Sequence, residues 1–431
     1  VTSPDLHPEH SLPTRGARDA ALAVVRTLRD AGHTAYFAGG CVRDELLGRT
    51  PNDFDVATDA TPDRIQALFR KTAAVGAAFG VVLVKHHTHT IEVATFRSDG
   101  SYSDNRRPDA VTFSTPIDDA RRRDFTINAL FLDPLSPHHL HTAGAHGTVI
   151  DLVNGLADLA SRTLRAVGNP HQRLAEDHLR ALRAVRLAAK LDFVIEPLTA
   201  LAIREHASEL NGVSRERIGD ELRAMFDLPH TFSAAMLQLH ALGLDTVCFG
   251  APAGSDTFFP RLQALLMSDS CSFPAALAAL VLDREAHPSS TIHTPQQVAS
   301  RLRRTLCLSN DESSLLYAVL DSHAKLPDWP ALSIAQRKRL ARTPGFKPAL
   351  AILSATSPNQ ALQFHAHVNE MLSDGIGIAP IPLLTGDDLV EAGFEPGPRF
   401  RLVLDRVYDA QLEGQVPDFN AALELARRID V

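Results

Sequence analysis

Residues 37 to 62, FAGGCVRDELLGRTPNDFDVATDATP, restrict the fold of this chain more than any other stretch. The apolar run AYFAGG reads as a short strand that stops at Gly39 and Gly40, after which VRDELL takes up helical spacing. A glycine pair between strand and helix lets the backbone approach an anion. The first free N–H groups of the helix point at that anion, and Arg43 adds a fixed charge one turn in. DFDVAT alternates charged and apolar residues, so as a strand it sets Asp53 and Asp55 on one face. Two adjacent carboxylates repel, and a divalent cation is the usual remedy. Hard oxygen ligands paired this way suit Mg²⁺, which keeps several waters and binds one or two carboxylates together with substrate phosphates.

A lone DxD also occurs in ordinary turns and solvated strand edges. With GGxVRD at this distance before it, the pair meets the needs of nucleotidyl transfer. Together they resemble the signature of the polymerase beta nucleotidyltransferase superfamily, in the form carried by class II tRNA nucleotidyltransferases and bacterial poly(A) polymerases. Two later motifs carry the same resemblance. Arg122 to Ala129 match RRDxTxNA residue by residue, and Glu176 to Arg180 match EDxxR. The resemblance implies that Asp177 and Arg180 choose the incoming base, with Arg183 and Arg186 completing the pocket toward sugar and phosphate. It also implies that an ER motif, here Glu216 and Arg217, braces the pocket.

Composition narrows the alternatives. The 431 residues, 45% hydrophobic and 22% charged, describe an ordinary globular chain of about two to four domains. No apolar stretch reaches the roughly 18 residues that span a bilayer. The start, VTSPDLHPEH, lacks the apolar core of a signal peptide, so a cytoplasmic location without membrane contact is expected. Four cysteines, Cys41, Cys248, Cys271 and Cys307, fall without CxxC spacing and suggest neither a disulfide framework nor a zinc site. The histidine groups His86, His87 and His89, and His138, His139 and His141, read as loop or edge-strand residues. A net charge of −8 argues against coating nucleic acid by bulk electrostatics. The arginines from Arg162 to Arg186 nevertheless form a basic patch, as in an enzyme that touches nucleic acid at one place.

In chain order, residues 15 to 32 have an amphipathic helical pattern with Ala21, Leu22, Val25 and Leu28 on the apolar side. Thr61 and Pro62 look like an N-cap and first helical residue. AFGVVLVKH and HTIEVATFR follow as strands, with Glu92 either a third acidic group near the metals or an edge residue. The polar stretch from Ser98 to Ala120 reads as a mobile loop around a short strand. Arg122, Arg123 and Asp124 precede a run with helical apolar spacing, and the arginines there suit triphosphate oxygens. DLVNGLADLASRTLRAVGNP reads as a loop leading to a helix; the resemblance makes it a hinge. LAEDHLRALRAVRLAAKLDF is predicted as one helix, with Leu179, Leu182, Val185 and Ala189 down one side. On its other side, Asp177, Arg180, Arg183 and Arg186 spiral at every third residue. GVSRERIGDELRAMF is a further capped helix, and beyond about residue 230 helices succeed one another without visible chemistry.

The expected fold is α+β: a nucleotidyltransferase head at 15–160 with a mixed sheet flanked by helices, then a helical neck at 161–230, body at 231–380 and tail at 381–431. The resemblance implies addition of CMP and AMP from CTP and ATP to the tRNA 3′ end, with Asp53 and Asp55 holding Mg²⁺ and Gly40, Arg43 and Arg123 holding phosphates. It implies no obligate protein partner. In the tail, Arg399, Arg401 and Arg406 suit an RNA backbone. Addition of A alone, addition of CC alone, and poly(A) synthesis remain open. VGAAFGVVLV at 75–84, where the poly(A) enzymes tend to carry an arginine-rich stretch, favours a tRNA substrate. A non-catalytic RNA-binding protein on the same fold is the reading from another class, and the intact carboxylate pair speaks against it.

Overall fold

The computed structural model describes residues 14–74, 79–100, 110–136, 146–250, 259–285 and 293–429. The chain divides into two compact units: residues up to Arg217 with Ala241–Leu244, and Ile218–His240 with Asp245 onward. The histidines at 138, 139 and 141, the tip of the polar loop at 101–109 and the start of the 75–84 stretch lie outside the described residues.

The N-terminal unit is built on a seven-stranded mixed sheet. Its strands are β1 (Ala35–Ala38), β2 (Asp55–Thr58), β3 (Thr72–Ala73), β4 (Val81–His86) and β5 (His89–Thr95). A separate hairpin of β6 (Arg97–Asp99) and β7 (Val111–Phe113) precedes the last two sheet strands, β8 (Phe131–Asp133) and β9 (Thr148–Ile150). The sheet order is β3-β4-β5-β2-β1-β8-β9, with β2 and β5 parallel. Helix α1 (Thr14–Asp30), α2 (Gly40–Leu46) and α3 (Pro62–Leu68) belong to the same half of the chain.

Alternation along the strands decides what each sheet face does. Phe37, Val56, Ile91, Val93 and Leu132 all join one buried cluster with Ala21, Val24, Val25 and Leu28 of α1. The apolar stripe expected of this helix is there, with Val24 fully buried in it and Leu22 only partly so. The opposite face carries Tyr36, Ala38, Ala57 and Phe131, which pack with Phe96, Ala120 and Val167 in a smaller cluster. Asp53, Asp55 and Glu92 share the parity of that second face. The predicted Thr61 cap forms: its hydroxyl accepts the Arg64 N–H at 3.4 Å, ahead of Pro62.

The polar stretch before Arg122 is more ordered at its end than the sequence suggested. Thr115 and Asp118 form a capping box, and Pro116 opens helix α4 (Pro116–Arg122). Arg122 therefore ends a helix instead of starting one. The run after it was misread as well. FTIN holds a 3-10 turn at Thr126–Asn128, and Phe131–Asp133 is a strand, because Phe131 and Leu132 pair with Ala38 and Phe37. A period of apolar residues this short does not distinguish helix from strand.

Helix α5 (Gly155–Ala160) follows, its first N–H groups bound by the Asp151 carboxylate at 2.9 Å from Gly155 and 2.9 Å from Leu156. Asn169 caps α6 (Pro170–Glu176), and α7 (Arg180–Leu191) comes after. The single helix predicted across this stretch is thus two. Asp177 adopts extended angles, φ −155° and ψ 103°, and its Oδ1 accepts the Leu179 N–H at 3.1 Å, so the chain breaks and restarts. Helices α8 (Pro197–Glu205) and α9 (Arg215–Phe226) complete this stretch of chain.

The C-terminal unit is helical throughout its described residues. Its helices are fixed at their starts by capping boxes at Thr294, Ser309, Ser333 and Thr385. Trp329 stacks on Phe346 at 5.4 Å between ring centroids and meets Phe364 at 5.3 Å, inside one apolar cluster. Leu389, Val403, Val407, Ala422 and Ala426 form another. Among the described residues, no helix is long and apolar enough to cross a membrane.

Candidate active site

The register of two strands assembles the centre. Ala38, the last residue of β1, lies directly opposite Asp55, the first of β2, so the carboxylate sits beside the turn that follows β1. That turn needs glycine. Gly39 has φ +77°, and a Cβ there would stand 3.0 Å from the Arg123 Nη1. Asp53 lies two residues before the strand on the same side, while Phe54 between them turns inward to meet Phe37 edge-on at 5.3 Å. On the other flank, Glu92 of β5 is the register partner of Asp55.

Three carboxylates so placed repel each other. Burial pushes the Asp55 carboxyl up to about 7, Glu92 and Asp53 add to the rise, and Arg123 only partly offsets it. Glu92 is also raised, by burial first and then by Asp53, against Arg97 and Arg123. Among the described residues, no group of three or more His, Cys, Asp or Glu side chains has the arrangement of a complete metal site. Glu92 stands beside Asp55 and lines the same cleft, and the oxygen pair of Asp53 and Asp55 is the candidate donor set nominated from the sequence. This pair fits Mg²⁺, which needs few protein ligands when phosphates supply the others, and the repulsion at Asp55 is what such an ion would relieve.

Around the carboxylates runs a cleft of about 660 Å³, within the range of small-molecule sites. Every residue nominated from the sequence for the metal or the nucleotide lines it: Asp53, Asp55, Gly40, Arg43, Arg123, Asp177, Arg180, Arg183 and Arg186. Their fixing is specific. Buried Arg43 donates to Asn128 Oδ1 at 2.6 Å and to Asp44 Oδ1 at 2.8 Å. Arg123 is held by Asp119 Oδ2 at 3.0 Å and by the Asn128 carbonyl at 3.1 Å, and it stacks on Phe131 at 5.0 Å. Asp119 anchors Arg122 too, at 2.6 Å. Burial raises the Asp119 carboxyl, but Arg123 and Arg122 outweigh it and keep it below the usual range.

Arg183 reaches Asp124 Oδ2 at 2.6 Å, and Asn128 Nδ2 donates to the other oxygen of Asp124 at 3.1 Å. Burial acts upward on Asp124, yet Arg183 and these hydrogen bonds bring it down to about 2. A continuous polar chain, Asp44–Arg43–Asn128–Asp124–Arg183, thereby joins the glycine-turn helix α2 to α7. Asp177 accepts from Arg217 Nη2 at 2.7 Å.

Sequence reasoning placed Asp177 and Arg180 on one helix face. The structure moves Asp177 into the link between α6 and α7, where it still lines the cleft with Arg180. The arginines from Arg162 onward are not one patch. Arg162 pairs with Asp192, Arg165 with Asp158, and Arg173 and Arg180 with Glu176, while Arg183 and Arg186 face the cleft. Asp119 and Asn128 were missed as anchors. For Asp119 the signal was present: an acid three and four residues ahead of Arg122 and Arg123 is the helical ion-pair spacing.

Comparison with known proteins bears on the family of this chain. Residues 35–165 match the family model described as the poly A polymerase head domain, and residues 192–249 match a probable RNA and SrmB-binding site of polymerase A. The CCA-adding enzyme of Levilactobacillus brevis is 33% identical over 417 residues, which is 95% of this chain and 97% of that one. The chain belongs to the CCA-adding enzyme family. The family member from Lacticaseibacillus paracasei is 34% identical over 93% of each chain. Among solved structures, the Bacillus stearothermophilus CCA-adding enzyme in complex with CTP superposes with a TM-score of 0.70 at 27% identity, covering 96% of this chain and 98% of its own. As a member of this family the chain is a nucleotidyltransferase, and membership implies use of a divalent metal.

Proposed function

We propose that this chain adds CMP and AMP from CTP and ATP to the 3′ end of tRNA, without a nucleic-acid template, and releases pyrophosphate. The observation that carries the reading is the Ala38–Asp55 register, which brings a carboxylate pair to a glycine turn in a cleft lined by arginines. Asp53 and Asp55 would hold Mg²⁺, which when bound lowers the pKa of the attacking 3′-hydroxyl and stabilises charge on the leaving pyrophosphate. Gly40, Arg43 and Arg123 hold the triphosphate. Because Arg43 and Arg123 are already fixed by Asp44, Asn128 and Asp119, little reorganisation accompanies charge build-up on the phosphates.

Base choice falls to Asp177 and Arg180. Cytosine and adenine both present an exocyclic amine beside an unprotonated ring nitrogen. A carboxylate accepts from the amine and a guanidinium donates to the nitrogen. Uracil and guanine present a carbonyl and a protonated nitrogen, which would leave both protein groups facing like partners, at about 1–3 kcal/mol each. Arg217 and the Leu179 N–H hold the Asp177 carboxylate while lone pairs remain for a base. Residues 15–160 serve as head, 161–230 as neck, 231–380 as body and 381–431 as tail, and Arg399, Arg401 and Arg406 meet the tRNA backbone. The chain works in the cytoplasm.

Purified protein incubated with tRNA ending in the discriminator base, in CC or in CCA, and with each labelled nucleotide, tests this directly. Completion to CCA and arrest there is the expected result. Addition of A alone, of CC alone or of a long A tail would each replace it with the narrower activity, and no incorporation would leave an RNA-binding protein. Asp177→Ala should admit UMP or GMP relative to CMP and AMP while tRNA binding is kept. Retained selectivity with lower thermal stability would make Asp177 a surface ion-pair residue.

A further inference from the structure

Arg173 does not line the cleft, yet its guanidinium ties together two sides of it. Nη2 donates to the Arg121 carbonyl at 2.6 Å and Nη1 to the Arg122 carbonyl at 3.0 Å. These are carbonyls of the last turn of α4, which have no partner within their own helix and attract a cation. The next residue along is Arg123, so this is the stretch that presents the phosphate-holding arginines. Nη1 of Arg173 also meets Glu176 Oε2 at 2.7 Å. The same oxygen accepts from Nη1 of Arg180, and that nitrogen returns to the Arg173 carbonyl at 2.6 Å. Two side chains thus connect the end of α4 to the guanidinium assigned to the base.

The connection matters because no rigid rod supplies it. Helix α6 ends at Glu176, Asp177 is extended, and α7 begins at Arg180. The spacing between phosphate-holding and base-reading groups therefore depends on what clamps the link. We infer that Arg173 is a positioning residue that sets this spacing and, through Glu176 and Arg180, the selectivity for the incoming base. The inference rests on the proposed function and deepens it. A lysine would keep the charge toward Glu176 but has no planar fork to span two carbonyls and a carboxylate at once, so Arg173→Lys is not conservative here.

The test uses the full chain with tRNA ending in the discriminator base, and measures kcat and KM for CTP and UTP alongside thermal unfolding. In Arg173→Lys, discrimination between CTP and UTP is expected to fall about tenfold, the effect of weakening one hydrogen bond. The loss should lie in KM for CTP, with kcat for CMP addition within about threefold of wild type, since the carboxylate pair is untouched. Glu176→Gln removes the charge of the shared acceptor and should move discrimination in the same direction; it decides the matter if the lysine variant does not fold. Discrimination within about twofold of wild type in the folded variants, whatever their melting temperature, would overturn the role of Arg173. A wild-type protein that incorporates UMP as readily as CMP would overturn the base-reading assignment itself, a distinct result.

Discussion

The N-terminal sheet and the C-terminal helices of this chain treat polar groups in opposite ways. In the helical unit, charges and hydroxyls are spent on local order: Ser309 and Glu312 cap a helix reciprocally, and Arg223 pairs with the same Glu312 at 2.8 Å. Around β2, acids are gathered where they repel, and burial lifts Asp55 to about 7 without a protein partner that cancels it. One region is locally consistent and the other is strained by its own charges. A chain accepts such strain where function needs it, so the two regions should respond to mutation in different currencies.

The largest effect should come from the strained region and fall on rate. Asp55→Ala or Asp53→Ala is expected to lower incorporation about a thousandfold or more in saturating Mg²⁺. Melting temperature in the absence of metal should hold or rise; rates within tenfold of wild type would defeat the metal assignment. Trp329→Ala is the converse. Loss of the rings stacked on it and of its Nε1–H bond to His367 at 3.2 Å should cost about 3–5 kcal/mol in denaturant unfolding, with CTP affinity unchanged. Weaker CTP binding would erase the division of labour. Between these lies Asp124→Asn, which removes the carboxylate charge that Arg183 meets at 2.6 Å. A loss of about 2 kcal/mol together with a ten- to hundredfold fall in kcat/KM is expected, because this network belongs to both stability and site.

The pH dependence sharpens the comparison further. The folded pKa of Asp55 is raised, so the native state binds more protons than the unfolded chain between about pH 4 and 7. Metal-free stability should therefore decline as pH rises through that window, and Asp55→Asn should flatten the decline. Asp124 has the opposite sign. Its pKa is lowered to about 2, so its stabilisation is present above about pH 4 and fades as pH falls toward 2. Thermal melts across pH with both variants separate the two. The smallest effect is Ser309→Ala, about 1 kcal/mol from one lost cap and no change in rate.

What could be read from the sequence rests on short-range periodicity at some places and on the resemblance of the RRDxTxNA and EDxxR motifs at others. DFDVAT needs only its alternation to put Asp53 and Asp55 together, and Thr61–Pro62 needs only cap chemistry. The break at Asp177 was invisible because Leu174, Leu179, Leu182 and Val185 keep an apolar rhythm across it, and only the weak helix formers Asp177 and His178 hint at it. FTINALFLD became turn and strand because β1 offers it an open edge, a long-range cause that local spacing does not contain. The partners of the arginines were hidden for the same reason. Arg183 meets Asp124, and Asp177 meets Arg217, far along the chain.

The pairing of Ala38 with Asp55 also bears on which misfolded forms this protein can hide. If β2 slipped by one residue against β1, Phe54 and Val56 would turn toward the cleft, and Asp53 and Asp55 would be driven into the cluster of Phe37, Val93 and Leu132. Such a chain would lose its core and its carboxylate pair in one step. A well-packed but inert conformer with this defect has nowhere to exist. Activity in a preparation thus counts correctly zipped molecules, and a destabilising substitution in these strands should lower the active fraction without creating a slow-working population.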